Sequence, residues 1–538
     1  MRTRRWIVGA ATVLAVGAAG LVIPPAAQAA IPQAGWTVPG LATPPGAEVV
    51  APQAAMSAGG NLDVVYQSFV TTPGGGYYAI FAQRRNELGW SVPERISVEG
   101  NTSVQPVIDV GSDGTACAAW RVGAGEESQA VEVSCLAPGL SWTVPAPVAP
   151  EIGDLVNSYD IAVGDGGRPA VIRTMTTSGA PGVTVAGNVR SDAGSWLDTA
   201  SLSFTEVDIP LSVDIEAAAG GFAAGWYYSE GDFAASWSAG TWSSTGSVFD
   251  GAYIPQISLV ADADAVTMFA VVQLLGGRSV QARQYYSGAW QEPKTLSQGT
   301  AEYSGLAVTG MPNGGAAAVW VSRAEGMSTL QAGIIPVSGE DAVVGNLTSS
   351  ARPIGSLSVA LDPEYVLRAV YSRGRMGDQS VLSQGFRALI QGADIVVDTS
   401  TPPTVIRGAG PSVSAVQVVS GASALSAVWL ADGLYVSDRV LAPAPPRSLV
   451  AKSTERRKVV LTWKVPVSGA PLGYQVEVRS PGGEWRTLGR TDERVYTWSR
   501  GTSGVRYQFR VSAFVRARPG TSGLVFGAPS KAAAVTVR

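Results

Sequence analysis

Three aspartates, Asp109, Asp160 and Asp214, lie near the first strands of successive repeat units. A pair of carboxyl groups roughly 5–10 Å apart is what glycoside hydrolysis needs, so these are the catalytic candidates. Aspartates solvated in a water-filled channel would show the same pattern without reacting. The chain of 538 residues contains no histidine. That removes the usual neutral-pH base, Ser-His and Cys-His nucleophile pairs, and any His-ligated zinc or copper. Catalysis would have to run on carboxylates, Tyr, Lys or Arg. No phosphate loop, dinucleotide fingerprint, calcium loop or metal-ligand spacing occurs, so neither a cofactor nor a metal is expected.

A second set of candidates is cationic. Arginines follow the anchor of the second strand in four units, as Trp120-Arg121, Ile172-Arg173, Trp320-Val321-Ser322-Arg323 and Tyr371-Ser372-Arg373. If presented on one face, Arg121, Arg173, Arg323 and Arg373 would bind an acidic sugar or another anionic polymer through bidentate guanidinium contacts. As ordinary turn residues they would bind nothing. The two cysteines, Cys117 and Cys135, flank Gly123-Ala124-Gly125-Glu126-Glu127, whose centre is their midpoint. A hairpin with that tip sets them opposite one another, which predicts a disulfide.

The elements that must position these groups are repeats. A Trp motif recurs as Gly89-Trp90-Ser91-Val92-Pro93 and Ser141-Trp142-Thr143-Val144-Pro145, with looser copies at Trp196, Trp242 and Trp290. A further copy, Gly35-Trp36-Thr37-Val38-Pro39, precedes them. Between the copies lie pairs of apolar strands joined by Asp-Gly or Asn-Gly turns, a strong hairpin signal because both turn residues need positive φ. Such hairpins start near residues 52, 106, 159, 211, 255, 303, 354 and 411. Each unit has room for four strands, with the Trp motif opening the fourth. Four-stranded units repeated radially make a β-propeller, here of about eight blades. The last unit lacks a Trp-motif strand, and the copy at Trp36 supplies it, closing the ring and removing an open edge. The region resembles sialidase-like and WD-repeat-like propellers in outline. It lacks the sialidase Asp box, S-x-D-x-G-x-x-W, since Gly111 stands two residues before Asp113. A stack of β-sandwiches is the structural alternative.

After Ala442-Pro443-Ala444-Pro445-Pro446, a stiff linker, come Val459-Val460-Leu461-Thr462-Trp463, Tyr474-Gln475-Val476-Glu477-Val478 and Tyr507-Gln508-Phe509-Arg510-Val511. This run resembles a fibronectin type III domain over residues 447–538. The resemblance makes Trp463 the core tryptophan of the second strand and Tyr507 the tyrosine of the tyrosine corner. It implies a spacer or a binder, not a catalyst.

Composition agrees with an all-β reading. Charged residues are only 15%, beside 46% hydrophobic residues, 64 Gly and 34 Pro. That suits short strands and tight turns and excludes coiled coil and disorder. Residues 1–29 read as a secretory signal: Arg2, Arg4 and Arg5, an apolar stretch from Ile7 to Val22, and Ala27-Gln28-Ala29 as the cleavage motif. The Arg4-Arg5 pair also suits twin-arginine export. The divisions expected are therefore 1–29 signal, 30–441 propeller, 442–446 linker and 447–538 fibronectin-like module. Charge divides them too, with a net −19 over 30–441 and +12 over 442–538. These are two separately solvated surfaces, or the basic module docks on anionic polymer, lipid headgroups or the acidic body.

The expectation is a secreted, monomeric, non-catalytic recognition protein without a membrane span after signal removal, associated with the cell wall through contact of its basic module. Its partner would be an extracellular glycan, cell-envelope polymer or protein, not nucleic acid. The alternative is a carbohydrate-active hydrolase or lyase of sialidase-like shape, with the fibronectin-like module as an accessory.

Overall fold

A computed structural model describes residues 35–538 except 38, 44–46, 87–88, 124–129, 149–153, 178–181, 192–193, 198, 206–211, 229–230, 239, 250–252, 262–264, 275–276, 287, 312–313, 337–340, 392–393, 399–401, 422–423, 441, 467–470 and 517–523. The signal reading of residues 1–29 and the tip of the cysteine hairpin lie outside the described residues.

The chain is nearly all β, with one short 3₁₀ turn at Asp165–Gly167. Up to Val440 the strands form eight antiparallel sheets of four or five strands. We number them in chain order by their first strands: Val50–Met56 (sheet 1), Ser103–Val110 (2), Asp154–Val163 (3), Ser212–Ala218 (4), Tyr253–Ala261 (5), Glu302–Gly310 (6), Ile354–Leu361 (7) and Ser414–Ser420 (8). Each first strand packs against the first strand of the next sheet, and that of sheet 8 packs on that of sheet 1. The N-terminal segment completes sheet 8: Trp36 bridges Arg439, and Gly40–Leu41 pairs with Leu434–Val440.

Packing follows the pattern of the second strands. These strands read as unbroken apolar runs because both their faces are covered by neighbouring sheets. Their tryptophans, Trp120, Trp226, Trp320 and Trp429, are wholly buried. The cores lie between sheets: Ile172 and Val185 of sheet 3 meet Phe222 and Trp226 of sheet 4, and Leu62, Val64 and Tyr66 of sheet 1 meet Val428 and Val436 of sheet 8. The motif tryptophans Trp90, Trp142, Trp196, Trp242 and Trp290 are only half-buried, since a fourth strand has a neighbour on one side and solvent on the other. Trp142 precedes its strand, Ala146–Pro147, instead of opening it.

A β-bulge interrupts the first strand in seven of the eight sheets, all but sheet 4. At three of them a residue with a side chain takes positive φ: Ala51 (46°), Gln105 (56°) and Ala415 (48°). The bulge bends the strand and increases its twist, which brings side chains of one sheet within reach of the next.

Beyond the linker, two sheets enclose a separate core. Arg447–Glu455, Lys458–Lys464 and Val495–Trp498 form one, and Arg486–Thr491, Gly473–Arg479, Arg506–Arg516, Leu524–Phe526 and Ala533–Thr536 the other. Trp463, Tyr474, Val476, Trp498 and Phe509 meet between them. The Thr502 N–H donates to the Tyr507 hydroxyl oxygen at 3.3 Å.

Candidate functional site

The three candidate aspartates face the junctions between sheets. In an innermost strand, alternate N–H groups point away from the second strand and need an acceptor. Asp109 of sheet 2 accepts from Val163 N–H of sheet 3 at 2.7 Å. Asp160 accepts from Ile215 N–H of sheet 4 at 3.2 Å, and Asp214 from Leu259 N–H of sheet 5 at 2.7 Å. The same task falls to uncharged side chains elsewhere. Gln256 accepts from Leu306 N–H at 3.3 Å, Ser358 from Val418 N–H at 3.1 Å, and Gln417 from Ala54 N–H at 2.7 Å. Among the described residues, six of the eight junctions thus carry an acceptor clasp from a first-strand side chain. The last of them joins sheet 8 to sheet 1.

Burial leaves the carboxyl groups short of water, and their affinity for protons rises. Asp109 is raised by desolvation against the opposing pull of its backbone donors. Asp160 is held well above the usual carboxylate range by desolvation and then by the charge of Asp214, with which it shares a hydrogen bond. Asp214 is raised by desolvation, moderated by Leu259 N–H and by that hydrogen bond. Asp160 and Asp214 share a hydrogen bond, whereas glycoside hydrolysis leaves roughly 5–10 Å between its carboxyl groups.

Sequence reasoning missed Glu216. It follows Asp214 by two residues on a strand, so both side chains project to one side while Val213 and Ile215 pack on the other. Desolvation, then repulsion from Asp214, Asp109 and Asp160, lifts Glu216 well above its ordinary value. It accepts no hydrogen bond among the described residues. With Asp109, Val163, Gly164, Asp165 and Ala217 it lines a cavity of about 440 Å³. Ser112 and Asp165 meet across its rim at 3.3 Å. The signal was present as Asp214-Ile215-Glu216, but the neighbours that raise Glu216 come from other sheets. No group of three or more His, Cys, Asp or Glu among the described residues is placed to hold a metal ion.

The arginines are dispersed. Arg121 donates to Val156 O at 3.1 Å and Arg323 to Ile354 O at 2.9 Å, each across a junction to the first strand of the next sheet. Arg173 is 2% exposed, a position from which no guanidinium reaches a surface. It donates to Val148 O and to the Met175 sulfur. Arg373 is half-buried near Tyr371, whose phenol burial pushes up to about 12. Three of the four are thus engaged within the protein, chiefly by backbone carbonyls. Cys117 and Cys135 are bonded, with Cα atoms 4.1 Å apart and directly opposed in register.

No protein-family model matches the chain, and no curated protein sequence does. Among solved structures, titin kinase with its flanking domains is 29% identical over 18% of this chain and 17% of that one, with a TM-score of 0.16. This chain therefore spans only a small part of that protein's length. A protein of unknown function from Dyadobacter fermentans is 12% identical over 76% of this chain and all of that one, at a TM-score of 0.40. An ulvan lyase, a polysaccharide lyase bound to a GlcA(1-4)Rha3S unit, is 10% identical over 62% of this chain and 92% of that one, at 0.39.

Proposed function

We propose that the protein is an extracellular recognition protein, built as an eight-bladed β-propeller over residues 30–441 and a fibronectin type III-like module over 447–538. The eight sheets are its blades, and the strand around Trp36 closes the ring. One observation carries the functional reading. Asp109, Asp160 and Asp214 are committed to clasping neighbouring blades, so the acidic cavity is a wall for hydrogen bonding and not a free pair of catalytic carboxylates. Its ligand is a glycan or protein that offers hydroxyl or amide donors to Glu216 and Asp165. The disulfide suits an oxidising compartment. Among the described residues, no helix is long and apolar enough to cross a membrane. The signal at 1–29 and the linker at 442–446 complete this division of the chain. The basic module serves as spacer or envelope contact.

A second reading is favoured by Glu216 itself. A carboxyl group whose affinity for protons is raised by burial and acidic neighbours has the chemistry of a general acid, which suits a carbohydrate-active hydrolase or lyase. Glycan-array binding measured beside release of reporter from glycosides separates the two. Binding without turnover supports recognition. Turnover that Glu216→Gln abolishes supports the enzyme.

A further inference from the structure

We propose that the cleft between sheets 1 and 2 is a second binding site, for a short chain of neutral pyranose sugars. This site shares no lining residue with the cavity beside Glu216 and stands independently of it. The cleft is about 530 Å³, within the range of small-molecule sites, and Trp90 and Trp142 both line it. These are the two best copies of the Trp motif, and both rings are half-exposed where the second-strand tryptophans are wholly buried. Each is followed by a valine left in solvent, Val92 at 84% and Val144 at 86% exposure.

The Trp90 ring packs toward sheet 8, with the Arg85 guanidinium 5.4 Å from its centre, so Trp142, packed with the apolar groups between sheets 1 and 2, is the ring offered to a ligand. Beside Trp142, the Thr143 N–H donates to Cys135 O at 2.9 Å, and Thr143 Oγ1 accepts from Cys135 N–H at 3.0 Å. The disulfide therefore anchors one wall of the cleft. Such preorganisation lowers the ordering cost of binding.

The polar groups select the ligand. Arg84 is gripped by Asp63 through Nε at 2.7 Å and Nη2 at 2.8 Å, which leaves Nη1 as a fixed donor at the cleft. Its charge is thereby balanced, so the cleft does not call for an anion. Exposed Glu94 is acceptor-only when ionised and is free to accept from a ligand's donors in place of water. Sugar hydroxyls donate and accept, and the apolar face of a pyranose stacks on indole. A proline-rich peptide also suits tryptophans but has no N–H to give Glu94.

The test is a tryptophan-fluorescence titration of the full chain with cellohexaose, xylohexaose and mannohexaose, with decaproline as the peptide arm. Saturable binding of at least one hexasaccharide is expected. It should weaken about tenfold or more in Trp142→Ala and in Glu94→Gln, and remain unchanged in Met376→Ala, an exposed apolar control. Glu94 is exposed, so its variant keeps the test valid should Trp142→Ala fail to fold. Absence of binding by all three sugars, sugar binding unaffected by Glu94→Gln, or saturable binding of decaproline lost in Glu94→Gln would each overturn the proposal.

Discussion

Glu216 and the three aspartates beside it make proton uptake part of folding. Unfolded, the Glu216 carboxyl titrates near 4.5, and in the folded chain desolvation and three acidic neighbours raise it well above that. Between those two values the folded state holds a proton that the unfolded chain has released, so stability is full below the window and declines as pH rises through it. The melting temperature should therefore fall as pH rises from the ordinary glutamate value through the raised folded one, and Glu216→Gln should flatten that fall. A melting curve unaffected by pH in both proteins would contradict this. Asp109 offers a sharper contrast. Its role as an acceptor for Val163 N–H survives in Asp109→Asn but not in Asp109→Ala. Chemical denaturation should find the alanine variant about 1–3 kcal/mol less stable and the asparagine variant close to the parent. Equal losses would show that the acceptor is not what matters.

Elements show which parts of the molecule could be read from residues alone. Turns and tryptophans are local signals, and the hairpin starts they mark fall within five residues of the observed first strands. The disulfide was legible for the same reason, since a hairpin register needs only a midpoint. The bulges were not, because Ala51, Gln105 and Ala415 take positive φ without a glycine to announce it. Nor were the clasps, which join residues 45 to 60 positions apart within the run of sheets. The same distance hid the burial of Arg173 and the environment of Glu216. At the junction of sheets 8 and 1, Asp438 receives two hydrogen bonds from Arg85 and one from Ser426. Both charged side chains are nearly buried, at 7% and 6% exposure. Removing one partner strands the other, so Asp438→Ala should cost about 3–5 kcal/mol. The exposed pair Arg352–Asp378 should give about 0–1 kcal/mol in the same assay. Reduction of Cys117–Cys135, which closes a loop of separation 18, should cost about 3 kcal/mol.

The strands up to Val440 and those from Arg447 onward enclose separate cores, and the two stretches of sequence carry opposite net charge. Calorimetry of the full chain should therefore resolve two transitions, the smaller near 60 kcal/mol for a unit of about 90 residues. A single cooperative transition would contradict independent units. The opposite charge of the two stretches is visible in composition because it is summed over many residues. Composition was silent on the ligand, which depends on a few side chains brought together from distant repeats. Recognition without turnover is the central claim. Its most direct measurement is incubation of the protein with a panel of soluble polysaccharides, scoring retention of polymer on the protein and appearance of new reducing or unsaturated ends together. The account predicts retention of at least one polymer with no new ends. New ends that disappear in Glu216→Gln would contradict it.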